Sequence, residues 1–204
     1  MNVSGDWEAA VALRVRNAPQ GVVLQALRDS LRRACRETCR WTALLPATVP
    51  ADCAGTAGGA FTLAKPPAGC SAIRLLAVEW KRGGKRQTCA KWEFLFSRTG
   101  NNLVLEDLWG QVKGGDELAA LVALEPDSTG YSLDDVPEDV ATDLFATVAA
   151  GAAATLLAMP NAPWSNAAAA QKAAWEAQRE LGITTSRIHG DFEGGSRVIG
   201  AIDA

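Results

Sequence analysis

The chain has 204 residues, of which 48% are apolar and 21% charged, and its net charge is only −3. That is the composition of an ordinary globular protein, long enough for one domain or a domain with an extension. It argues against a strongly basic surface, and so against non-specific nucleic-acid binding through many phosphate contacts.

Residues 1–16 carry Asp6, Glu8, Arg14 and Arg16 with no continuous apolar core, so no signal peptide is expected. The apolar run nearest to a membrane span, Phe145 to Met159, is rich in Ala, Gly and Thr and falls short of about 18 residues. The expectation is a soluble protein made in the cytoplasm, with no membrane partner.

From Pro19 to Trp41 the pattern predicts a helix. Val23, Leu24, Leu27, Leu31, Ala34, Cys35, Thr38 and Cys39 recur every three or four residues and form one apolar stripe. Asn17 is the candidate N-cap, and Pro19 suits the first turn. Arg28, Arg32, Arg33, Arg36 and Arg40 fall mostly on the opposite side. The five cysteines, at 35, 39, 53, 70 and 89, are odd in number and irregularly spaced, which does not fit a disulfide framework. Cys35 and Cys39 share a helix face, but further metal ligands are missing, and they read as small apolar residues.

Residues 46–67 are rich in Pro, Gly, Ala and Thr and predict a loop, with a short strand at Ala60 to Ala64. A meander of roughly four strands follows. Ala72 to Trp80 is apolar, and Gly83-Gly84 suits a tight turn. Cys89 to Phe96 alternates with Trp92, Phe94 and Phe96 on one face, Leu103 to Leu105 comes next, and Glu117 to Leu124 is the last strand.

Asp134 or Asp135, with Pro137 and Glu138 behind it, opens a helix whose seam is Val140, Leu144, Val148, Ala152, Leu156 and Met159. The small residues from Ala149 to Ala154 let neighbours approach closely, which suits a central helix. Pro160 ends it. A tight connection leads to a last helix that starts with Ser165 as N-cap, runs to Leu181, and stops at Gly182 as a left-handed cap. The Gly-rich remainder reads as an arm that orders against a partner, with Ile188, Phe192, Arg197, Val198, Ile199 and Ile202 as candidate contacts to a neighbour.

No constellation for catalysis assembles. His189 is the only histidine and lies in the Gly-rich end, and neither phosphate-binding glycine motif, CxxC nor HExxH is present. The expectation is a protein that is not an enzyme, with no cofactor and no metal. The acidic cluster at residues 134–139 is explained by the helix dipole. The arginine run, with Lys81, Arg82, Lys85 and Arg86, reads first as a solvated surface, then as a contact with an acidic protein, and last as DNA contact.

The block Val136-Pro-Glu-Asp-Val140, a small-residue helix ending Leu156-Leu-Ala-Met-Pro160, and Asn161-Ala-Pro-Trp-Ser-Asn166 before an Ala-rich helix resembles the head-to-tail adaptor (connector) proteins of short-tailed, podovirus-like bacteriophages. Cys39-Arg-Trp41, closing the first amphipathic helix, agrees. The order of elements matches from about Pro19 to Leu181, and the motif proper covers some thirty residues. Asn161-Ala162 departs from the Gly-Lys common in the family. Met159, Pro160, Pro163, Trp164 and Ser165 form the family-motif turn: Pro160 stops one helix, Pro163 fixes the turn, and Trp164 seals the junction.

The resemblance implies a structural virion protein at the head–tail junction, made in the host cytoplasm. It implies a homo-oligomeric ring, expected to be a dodecamer, between the portal protein and the tail nozzle or another tail component, with DNA in the lumen touched only non-specifically. The fold expected is α+β, mainly α: a bundle of about three main helices with an inserted small antiparallel β-meander and an extended C-terminal arm. Residues 1–45 would hold the N-terminal segment and first bundle helix, 46–130 the loop and meander, 131–182 the helical hairpin that completes the bundle, and 183–204 the arm. The alternatives are a DNA-binding packaging or regulatory module and a thiol-dependent enzyme using His189.

Overall fold

The computed structural model describes residues 3–87, 89–99, 102–127 and 131–193. It divides into a helical unit, built from residues 1–40 and 132–204, and a β unit, residues 41–131.

Four helices form the helical unit: α1 (Val3–Ala12), α2 (Gln20–Thr38), α3 (Glu138–Leu157) and α4 (Ala167–Glu193). α3 packs against each of the other three. It is long and apolar enough to cross a membrane by length and composition, but 61% of its most apolar stretch is buried inside the protein. Leu144, Val148, Ala152 and Leu156 are fully buried, as the seam predicts. Gly151 faces α2: a Cβ there would stand 2.4 Å from Ser30 Oγ, which would have to turn away.

α1 was not expected from the sequence. Val3, Trp7 and Val11 recur at four-residue steps, and all three are buried, Trp7 completely. α2 starts at Gln20 behind Pro19, whose extended backbone makes it the N-cap in place of Asn17, itself at φ 63°. α2 ends three residues before Trp41. Cys39 takes the left-handed conformation and donates its N–H to Cys35 O, while Thr38 Oγ1 bonds Ala34 O and accepts from Arg40 N. Asp134 and Asp135 belong to a single 3-10 turn capped by Ser132, and α3 starts only after Pro137. α4 runs through Gly182 without a break, so that glycine is not a cap.

The β unit departs furthest from expectation. In place of a small meander inserted in a three-helix bundle, seven strands form one antiparallel half-barrel sheet: about 28% strand beside 42% helix. The strands are β1 (Thr42–Thr48), β2 (Gly59–Leu63), β3 (Cys70–Arg82), β4 (Lys85–Gln87), β5 (Phe94–Thr99), β6 (Asn102–Asp107) and β7 (Glu117–Pro126), in the order β4-β3-β7-β1-β2-β6-β5. β7 does not pair with β6, its neighbour in sequence. It lies between β3 and β1, and Leu118, Ala120, Val122, Ala123 and Leu124 are buried along it.

β1 contains Pro46, which the sequence reading places in a loop. Pro46 sits opposite Ala119 of β7, and its carbonyl accepts from Ala64 N on the β2 side, just where the β1–β2 ladder ends. The N of a strand residue faces the same side as its carbonyl, so the missing N–H removes no bond to β7. Register shifts between Ala72 and Arg74 and between Leu75 and Ala77 spoil the alternation of β3. Trp92 is not on a strand face: Lys91–Glu93 is a single 3-10 turn closed by Ala90 N donating to Glu93 Oε2, β5 begins at Phe94, and Trp92 is 67% exposed.

Candidate functional site

The turn between α3 and α4 holds Met159, Pro160, Pro163, Trp164 and Ser165. Ala158 N–H still donates to Ala154 O, and Met159 N–H donates to Leu156 O, so the helix tightens as it ends. Pro160 blocks its continuation. Asn161 then reverses the chain at φ 61°, a left-handed conformation that asparagine tolerates and for which glycine is the usual residue. Ser165 N–H bonds Ala162 O at 2.9 Å, closing a turn around Pro163.

Ser165 does not cap α4. Its hydroxyl reaches back to Leu157 O at 3.3 Å, and Asn166 N donates to the same carbonyl at 2.9 Å. Asn166 is the cap: its Oδ1 accepts from Ala169 N at 3.0 Å. Two side chains thus divide the work assigned to one, with Ser165 satisfying the end of α3 and Asn166 the start of α4. Met159 and Trp164 are half-buried, while Pro160, Pro163 and Ser165 are exposed.

Charged contacts fix the rest of the helical unit. Arg40 donates through Nε to Asp143 at 2.5 Å and lies 3.2 Å from Asp139, and Arg187 reaches the other oxygen of Asp143 at 2.9 Å. The end of α2, the first turns of α3 and the distal part of α4 are therefore joined through one carboxylate. Arg14 bonds Glu176 at 2.5 Å and ties the segment after α1 to α4. Of the candidate arm residues, Ile188 and Phe192 fall on the backbone of α4. Arg197, Val198, Ile199 and Ile202 lie outside the described residues.

In the β unit, the buried carboxylates Asp107 and Asp116 each collect several donors. Asp107, 1% exposed, accepts from the N–H groups of Trp109, Gly110 and Val112 and holds the loop after β6. Asp116 accepts from Arg82 (2.9 and 2.8 Å), from Trp80 Nε1 (2.9 Å) and from Lys113 N (2.8 Å). The Arg82 hydrogen bonds outweigh the cost of burial and hold its carboxyl at about 2. The Arg82 guanidinium also lies 5.0 Å from the Trp80 ring centre. These are structural contacts that span β3 and the loop before β7.

Of the basic residues singled out by sequence, Lys81 lies 3.6 Å from Glu117 and Arg86 3.2 Å from Glu79. The five cysteines are free thiols, and burial pushes Cys89 above its ordinary range. Among the described residues no group of three or more His, Cys, Asp or Glu is placed to hold a metal. No protein-family model and no curated protein matches the chain.

Proposed function

We propose that the chain is a head-to-tail adaptor of a short-tailed bacteriophage, a structural subunit that joins the portal to the tail as one copy in a ring through which DNA passes. The observation that carries this reading is the α3–α4 turn. Met159, Pro160, Pro163, Trp164 and Ser165 stand together at one helical junction, where Pro160 blocks the continuation of α3 and the Ser165 hydroxyl satisfies its end. The role is mechanical and needs no catalytic residue or cofactor. Asn161 supports it further, because it adopts the left-handed conformation at the position where the family commonly has glycine. The alternative, a DNA-binding packaging or regulatory module, has less support, since Lys81, Arg82, Arg86 and Arg40 are each drawn to a carboxylate of their own chain.

The test is to mix the purified chain with the portal ring of the same phage and image the product by cryo-EM. The expected result is a ring of added density on the tail-facing side of the portal. Absence of binding with both partners at about 10 μM, a concentration at which even a modest specific interface is populated, would remove the proposal.

A further inference from the structure

Four large apolar side chains are left exposed at one place in the β unit. Trp92 and Trp109 are 67% and 62% exposed, and Leu95 and Leu108 are 50% and 40% exposed. The β5–β6 register brings them together. Leu95 stands opposite Glu106, Phe94 opposite Asp107, and Leu108 N–H donates to Glu93 O at 3.0 Å. Trp92 and Trp109 each lie one residue beyond that bond. Both sit on braced turns: Glu93 closes the turn of Trp92 by accepting from Ala90 N, and the buried Asp107 accepts the Trp109 N–H at 3.1 Å. An exposed apolar patch on a firmly held backbone marks an interaction site.

The backbone beside the patch narrows the kind of partner. β5 is the last strand of the sheet, with β6 on one side only. Residues of an antiparallel strand alternate between turning their N–H and C=O toward a neighbouring strand and away from it. The bond at Glu93 fixes the phase. Leu95 and Ser97 face β6, whereas Phe94, Phe96 and Arg98 turn their N–H and C=O outward. Among the described residues no hydrogen bond uses those outward groups. An extended chain laid along the strand satisfies all of them at once, which neither a helix nor a lipid surface does.

The charges narrow it further. Lys91 and Arg98 are exposed near the two ends of β5, and neither forms an ion pair among the described residues. Glu93 is committed to Ala90 N and Asp107 to its own loop, so the half-buried Glu106 is the carboxylate that remains beside them. The edge is therefore net positive. The opposite edge of the sheet, β4, is Lys85-Arg86-Gln87, so pairing it with β5 of another copy would set cation against cation.

We infer that the β5 edge takes up an extended acidic segment of a partner protein, which adds to the seven-stranded sheet as a further strand. Its backbone takes the outward groups of Phe94, Phe96 and Arg98. Its apolar side chains cover Trp92, Trp109, Leu95 and Leu108, and its carboxylates meet Lys91 and Arg98. The inference goes beyond the adaptor reading and stands without it.

The test is selection from a random peptide display library against the full-length chain. Hydrogen exchange of the chain with the best synthetic peptide then locates the site, and titration compares Trp92→Ala, Trp109→Ala and Arg98→Glu with wild type. All three variants replace exposed side chains, and circular dichroism checks each fold. The expected peptides are acidic, with apolar residues between the acids. Binding should slow exchange of the Phe94, Phe96 and Arg98 amides by about tenfold or more, while the Leu95 and Ser97 amides, already bonded to β6, change little. Each tryptophan variant should weaken binding by about tenfold or more, as loss of an aromatic anchor does. Arg98→Glu should weaken it roughly three- to tenfold, the range of an exposed charge pair reversed. A selection that gives no binder of about 100 μM or better overturns the inference. Basic peptides, outward amides that stay unprotected in the complex, or tryptophan variants that bind like wild type overturn it too. So does protection of those amides at rising protein concentration without peptide, which would put a second copy at the edge.

Discussion

Asp116 shows how much one side chain fixes in the β unit. It collects four donors from Arg82, Trp80 and Lys113, and its carboxyl titrates at about 2 instead of 3.8. A carboxyl whose folded value is depressed contributes stability above its unfolded value, and that contribution is lost as pH falls through the folded value. The window is therefore pH 4 to 2. The shift corresponds to somewhat over 2 kcal/mol, and the half-exposed Arg82 guanidinium reduces this to about 1–2 kcal/mol through solvent screening. Urea unfolding of wild type, followed by tryptophan fluorescence, should show that loss between pH 4 and pH 2. Asp116→Asn should be less stable at pH 7 and lack that part of the acid dependence. A variant with the wild-type acid limb would mean that other carboxylates carry it. Nothing in the sequence singled out Asp116 or Asp107, because the bonds they accept come from loop backbone and from partners brought close only by the sheet.

At the scale of elements, a strong apolar seam is legible in the sequence, while the pairing of distant strands is not. The apolar seam of α3 from Val140 to Leu156 is encoded within a few residues and is buried as the pattern predicts, whereas Met159, its expected last member, lies beyond the helix, which ends at Leu157 ahead of Pro160. β7 is apolar enough to be recognised as a strand, but its partners are β1 and β3, more than thirty residues away in sequence. No local pattern states that choice. β1 was hidden by a proline that happens to face the end of a ladder, and the start of β5 by a 3-10 turn whose Trp92 keeps the alternation without joining the strand. α1 was missed although its spacing of Val3, Trp7 and Val11 is helical, because ten residues with one large apolar side chain make a weak stripe. The caps were the least legible feature. Ser165 and Asn166 are both good N-caps, and only the geometry tells which one serves α4. Asn166→Ala should cost about 1 kcal/mol, as loss of a side-chain cap typically does, and Ser165→Ala less, since Leu157 O keeps its bond from Asn166 N. Thermal unfolding of the two variants measures the difference. The reverse order would return the cap to Ser165.

At the scale of the molecule, the helical unit is discontinuous in sequence, and the β unit is inserted between Arg40 and Ser132. The two ends of the insert meet within the β unit itself. The rings of Trp41 and Tyr131 pack edge-on with centroids 5.3 Å apart, and Leu124 N–H donates to Trp41 O as the first strand begins. Ends that close can be bridged by a flexible linker of about six residues, whose mean span is roughly 13 Å. The core of the helical unit is its own, since Trp7, Val11, Leu27, Leu31, Leu144, Val148 and Leu156 are fully buried among its four helices. The α3–α4 turn belongs to it as well. Replacing residues 41–131 by a Gly/Ser linker should therefore leave a cooperatively unfolding, mainly helical protein. Thermal unfolding followed by circular dichroism tests this. A shortened chain that does not fold would show that the helical core needs the insert.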